Sequence, residues 1–197
     1  MKKIFLLFSM IIITSIIFAQ NDVNSINKID SIGSFKGIKL CQSYSLFKNE
    51  LLKQGFIFIK NGDDPQIKYF TGRFLNEKCE ILVVLTPKTQ IVWKIVVRMP
   101  EQYSWFSLKD EYTTIKNDLI KKYGEPEKEY SFFSSPYYEG DGYELSASKN
   151  DKCTYDAFWN NGVFIGISFA QVKICYESLK GGIILDKENA ENAKNDL

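Results

Sequence analysis

The order of apolar and polar positions divides the chain into five stretches. In residues 1–19, Lys2-Lys3 precedes an apolar run from Ile4 to Phe18, which ends on Ala19. A positive start, an apolar middle and a small exit residue are the layout of a secretory signal peptide. Residues 20–34 are polar and lack clear periodicity, as a loose lead-in would. In residues 35–100, Ser43 stands where a helix cap belongs, and Tyr44, Phe47 and Leu51 share one helical stripe that Gly55 ends. Strand-like runs follow at 56–59, 67–74, 79–85 and 91–98. The last two read as a hairpin around Thr86-Pro87-Lys88-Thr89.

Residues 101–180 go through a similar order. Leu108, Tyr112, Ile115, Leu119 and Tyr123 fall at helical spacing, and Gly124 and Pro126 end that helix. Strands are expected at 130–133, 143–147, 153–159, 163–169 and 172–176, with a turn at Asn160-Asn161-Gly162. Residues 181–197 form a polar tail, expected to be frayed or a lone weak helix. Asn76-Glu77-Lys78-Cys79 matches Asn150-Asp151-Lys152-Cys153, which adds a local signature to the shared order. The pattern predicts an α+β fold of two tandem helix-plus-antiparallel-meander units. They are expected to form one curved sheet with helices on one face.

Composition narrows the chemistry. Without its leader the 197-residue chain keeps about 178 residues, enough to bury a core without metal or crosslinks. The remainder holds 23 basic and 24 acidic residues, a formal charge of −1. A chain this near neutrality has no broad field to recruit nucleic acid or an anionic membrane. The leader is followed by polar chain, so no membrane span is expected once it is removed. There is no histidine. That disfavours histidine acid–base catalysis, the common serine and cysteine nucleophile arrangements and most zinc sites. Only Arg73 and Arg98 offer a guanidinium fork. No nucleotide loop or metal-ligand spacing is present, so no cofactor or metal is expected. Four cysteines, Cys41, Cys79, Cys153 and Cys175, suit two disulfides in an exported protein; four buried thiols are the alternative.

Several constellations could carry chemistry. Ser-x-x-Lys occurs at Ser25/Lys28, Ser45/Lys48 and Ser146/Lys149, at about the frequency chance allows and without its companion motifs. Acids gather at Asp63-Asp64, at Glu125/Glu127/Glu129 and in Glu139-Gly140-Asp141-Gly142-Tyr143-Glu144. The last has tight turns and oxygens that suit calcium, but not the spacing of a known calcium loop. A solvated loop is the plainer reading. Tyr130, Phe132, Phe133, Tyr137, Tyr138 and Tyr143 crowd into fourteen residues. Tyrosines on a loop either cap the core or give a recognition surface large contact area at low entropy cost. Tyr137, Tyr138 and Tyr143 are the candidate partner-binding residues. Tyr103, Trp105 and Phe106 pose the same choice, with a packed junction the plainer outcome.

The phrases Gly37-Ile38-Lys39-Leu40, Phe70-Thr71-Gly72-Arg73-Phe74 and Lys122-Tyr123-Gly124-Glu125-Pro126 sit within this plan. With them, residues 35–178 resemble the β-lactamase-inhibitor-protein-like fold, as in secreted Bacteroidetes proteins of that plan. The resemblance implies two units sharing one sheet, and it carries no functional residue over. In such a sheet Cys79 and Cys153 stand about four strand spacings, roughly 19 Å, apart, too far to pair. Intra-unit pairs, Cys41 with Cys79 and Cys153 with Cys175, are preferred, the second only with a bend near Ala170-Gln171. The expected function is a periplasmic or secreted, non-enzymatic binding module. It would contact a protein or envelope polymer through the curved sheet and the aromatic loop. A carboxylate-based envelope hydrolase and a structural part of an envelope assembly are the rivals.

Overall fold

The computed structural model describes residues 33–195. The expected leader, residues 1–19, and nearly all of the lead-in lie outside them. A short hairpin, β1 (Ser34–Phe35) and β2 (Ile38–Lys39), precedes helix α1 (Tyr44–Lys53). Ser43 is its extended N-cap, Phe47 and Leu51 are its buried stripe, and Gly55 leaves at φ +82°. Strands β3 (Ile57–Asn61), β4 (Ile67–Phe74), β5 (Glu77–Leu85) and β6 (Val92–Arg98) follow. Helix α2 (Trp105–Tyr123) starts where the Ser104 hydroxyl accepts the Ser107 N–H, and it buries Leu108, Tyr112, Ile115 and Leu119. Then come β7 (Lys128–Phe133), α3 (Glu144–Lys149), β8 (Cys153–Phe158), β9 (Val163–Ser168), β10 (Gln171–Glu177) and α4 (Leu179–Asn195).

The fold is α+β, dominated by one antiparallel sheet of eight strands in the order β3-β4-β5-β6-β10-β9-β8-β7. The central contact is β6 on β10, with Val97 opposite Ile174 and Ile95 opposite Tyr176. Because side chains alternate along a strand, the registers sort the sheet into two faces. Phe70, Ile81, Val83, Ile95, Val97, Ile174, Ile165, Ala157 and Tyr155 share the first face, and all are buried. Helices α1 and α2 pack there. Lys48 of α1 lies over the Phe58 ring, and Trp105 and Tyr112 of α2 stack edge-on against Tyr155. The second face carries Tyr69, Leu82, Val96, Arg98, Lys173, Cys175, Phe164, Asp156 and Tyr130 by the same registers.

Three expectations about the order of elements need correction. Residues 143–147 are not a strand: α3 occupies Glu144–Lys149, and its buried positions Glu144, Ala147 and Ser148 recur at helical spacing. The two Asn-x-Lys-Cys phrases do not stand at matching places. Cys79 is on β5, the third strand after α1, whereas Cys153 opens β8, the second after α2. Of the two outcomes expected for the tail, the helix is the one found, as α4, but it is not alone: it packs along β6. Gly181 lies so close to Trp93 that a Cβ there would come within 2.7 Å of the tryptophan Cβ.

A buried carboxylate fixes α4 in place. Glu188 accepts the Lys88 N–H at 2.6 Å and the Thr89 hydroxyl at 2.5 Å, closing α4 onto the β5–β6 turn. Burial alone would raise its pKa, but the Thr89 hydroxyl and the Lys88 and Thr89 N–H groups outweigh it and hold the carboxyl below its ordinary value. The stability it adds is therefore present above pH 4.5 and lost as pH falls through the lowered value. Glu188→Ala is expected to cost about 1–3 kcal/mol, since it removes a charged acceptor shared by the Lys88 and Thr89 N–H groups and the Thr89 hydroxyl. Hydrogen exchange should rise first in α4, and unchanged α4 protection would contradict the latch.

The four cysteines are free thiols, and the preferred disulfides do not form. Cys175 pairs in register with Phe164, and Phe164 with Phe158. Cys153 is thus two strands and five residues away, about 10 Å across and 17 Å along. The Cys41 N–H reaches the Val92 carbonyl at one end of β6, while Glu80, next to Cys79, pairs with Arg98 at the other. That separation is about 20 Å, well beyond the roughly 7 Å a disulfide spans. Burial pushes the thiols up, to about 11 at Cys79 and Cys175 and about 12 at Cys153, which keeps them protonated and unreactive.

Candidate functional site

Two surface features gather chemistry. The first is an aromatic end of the molecule, where β7 leaves the sheet. The loop after Phe133 is braced by its own acids. Asp141 accepts the N–H groups of Tyr138 and Tyr143 at 3.0 and 2.7 Å, and Glu144 accepts that of Gly140 at 2.7 Å. Glu139 is ion-paired with Lys109 of α2, and Lys149 of α3 with Glu101 at 2.8 Å. These acids are therefore engaged in bracing the loop.

The braced loop splits the three candidate tyrosines. Tyr138 and Tyr143 are each 65% exposed, whereas Tyr137 packs against the core with its hydroxyl 3.5 Å from Asn150. The ion pairs also draw the junction before α2 to this end. Tyr103, two residues after Glu101, is 87% exposed, and Phe106, one turn before Lys109, is 79% exposed. A junction packed throughout was the plainer expectation, and only Trp105 meets it, stacking on Phe133 and Tyr155. Sequence shows three neighbouring aromatics here without showing which one α2 turns inward.

The second feature is a cleft of about 530 Å³ on the second face, lined by Lys94, Thr154, Asp156, Phe158, Phe164 and Glu177 among others. Lys94 and Glu177 pair at 2.6 Å. The Phe158 and Phe164 rings lie 4.6 Å apart, and Tyr130, directly opposite Asp156 on β7, sets its ring edge-on to Phe158 at 6.1 Å. Asp156 sits against Gly166, where a Cβ would fall 2.3 Å from the carboxylate oxygen and 2.7 Å from the Phe164 ring. The glycine thus makes the notch that lets the acid lie flat on the sheet. Burial raises the Asp156 carboxyl to about 6. Ser168, also at the cleft, is buried with no partner for its hydroxyl among the described residues.

This cleft was not foreseen. Its trace in the sequence is the alternation of residues 153–159, which puts Thr154, Asp156 and Phe158 on one face. The neighbouring glycine and rings come from β9 and β7, and no local reading joins them.

The weighed Ser-x-x-Lys pairs are not assembled as catalytic pairs among the described residues. The Ser45 hydroxyl meets Ser43 at 3.2 Å while Lys48 lies over Phe58, and Lys149 turns to Glu101. Ser25 and Lys28 lie outside the described residues. No helix is long and apolar enough to cross a membrane among the described residues. Comparison with known proteins finds no match to a protein-family model, a curated protein or a solved structure.

Proposed function

We propose that the chain is an exported, non-enzymatic binding module that contacts a protein or envelope polymer through its aromatic end and the adjoining second face of the sheet. The observation that carries this reading is the set Tyr103, Phe106, Tyr138 and Tyr143. These four large rings are 65–87% exposed on segments held by ion pairs and side-chain-to-backbone bonds. Exposed aromatic area on a preorganised loop loses little entropy on binding, which is what a recognition surface needs. Export rests on the leader-like composition of residues 1–19. We also read the sheet as two related halves, α1 with β3–β6 and α2 with β7–β10, joined through β6 and β10. The mirrored strand order supports that reading, and so does the resemblance noted in the sequence.

The test is sedimentation of the purified protein with isolated envelope polymer and, separately, with envelope protein. Tyr138→Ala combined with Tyr143→Ala is expected to cut binding at least tenfold and to move the melting temperature by less than about 2 °C, because both rings are exposed. Binding that survives the double change overturns the role of this surface. Turnover of an envelope substrate, lost on replacing one Asp or Glu, overturns the non-enzymatic reading in favour of a hydrolase.

A further inference from the structure

The cleft on the second face has its own chemistry. Asp156 has no ion pair or hydrogen bond among the described residues, although its side chain lines the cleft half-buried. Aromatic rings share its face of the sheet: Tyr130 opposite on β7, Phe158 two residues on, and Phe164 on the neighbouring β9. Faces of such rings carry partial negative charge and attract cations. Lys94, which lines the cleft, is already held by Glu177, and Asp151 adds a further acid to the lining. Lys173 lies on the same face opposite Gly166, with its ammonium 4.9 Å from the Phe169 ring centroid. We infer that Tyr130, Asp156, Phe158 and Phe164 form a binding site for an organic cation, an alkylated or primary ammonium group seated on the rings with its charge on Asp156. A neutral sugar would also lie on such rings, but it leaves the carboxylate uncompensated in a desolvated notch, whereas an ammonium group neutralises it. Such a group comes either from a free amine or from a lysine side chain of a protein partner. The second source rests on the binding-module reading above, and the first does not.

Titration calorimetry of the full chain with choline, and separately with N-acetyl-lysine methylamide, tests the site. The tert-butyl isostere of choline and N-acetylglucosamine are the neutral controls. Choline or the lysine compound is expected to bind at least tenfold more tightly than either control. Asp156→Asn is expected to remove that preference, and Tyr130→Ala to weaken it at least threefold. Asp156→Asn keeps the shape of the side chain and removes a buried charge, so a cooperative melt will show that lost binding is not lost folding. Tighter binding of the lysine compound assigns the cation to a protein partner, and tighter binding of choline to a free amine. Equal affinity for choline and its isostere, no binding of either cation, or undiminished binding by folded Asp156→Asn each overturns the site. Tyr138→Ala with Tyr143→Ala should leave cation affinity unchanged. Loss of envelope binding in that variant with the cation still bound separates failure of one reading from failure of the other.

Discussion

Asp156→Asn is expected to stabilise the protein by about 2 kcal/mol at neutral pH. In the unfolded chain this carboxyl ionises at its ordinary value of 3.8, whereas burial raises it to about 6 in the fold. Between those values the folded state holds the proton that the unfolded chain has lost. Stability therefore falls as pH rises from about 4 to 6, and the penalty is complete above 6. The full difference corresponds to about 3 kcal/mol. Residual contact with water in the cleft brings the expected gain to about 2 kcal/mol, or roughly 4–8 °C in melting temperature for a chain of this size. Asparagine fills the same notch against Gly166 without the charge. The gain should shrink on acidification and vanish below about pH 4. A stabilisation that persists there would show that charge is not its cause. An acid that costs the fold this much, set in a cleft beside aromatic rings, is what a binding site built at the expense of stability looks like.

Gly72→Ala is expected to have the largest opposite effect. Gly72 lies opposite Cys79 in the middle of the core-facing side of β4. A Cβ there would sit 2.2 Å from the Cδ1 and 2.6 Å from the Cε1 of Phe56, a ring only 2% exposed. Phe56 in turn packs against Phe35, with ring centroids 5.9 Å apart, and Phe35 stacks on Phe74 and meets Tyr176 edge-on. One methyl group therefore displaces the corner where the β1–β2 hairpin meets the sheet. Overpacking of this kind costs up to about 3 kcal/mol, which lowers melting by roughly 6–12 °C. The cause can be isolated with a double change. In a Phe56→Ala background, itself destabilised, Gly72→Ala should add under about 1 kcal/mol because the ring is gone. Full additivity would place the cost in the strand backbone instead.

The parts of this fold that sequence makes legible are those set by local rules. Ser43 and Gly55 bracket α1, the stripe from Leu108 to Tyr123 marks α2, and β4 spans Ile67–Phe74, the bounds of its strand-like run. Misreadings arise where distant chain decides. Glu144, Ala147 and Ser148 belong to a helix six residues long, too short for a stripe to stand out from the alternation around it. Glu188 looks like one acid among many in a polar tail, yet a turn a hundred positions earlier supplies its donors. The cysteines were paired from their even number and expected compartment, whereas the registers of β5, β8 and β10 hold them apart. For the candidate site, an aromatic loop was legible as such. That Tyr137 faces inward, that Tyr103 and Phe106 join the exposed rings, and that Asp156 lies in a notch all depend on contacts between segments.

The direction of β6 has a practical result. One end, at Val92, adjoins Cys41, and Trp93 bonds through its carbonyl to Ser178, where α4 begins and Gly33 lies alongside. The other end, past Arg98, leads within three residues to Glu101 and the exposed rings. Seven strand residues, about 23 Å, separate the two. Chain preceding residue 33, and α4 as it runs to the β5–β6 turn, both attach at the pole away from those rings. A fluorescent label, bead or surface linked through either route would leave the aromatic pole pointing outward, as an immobilised capture reagent requires.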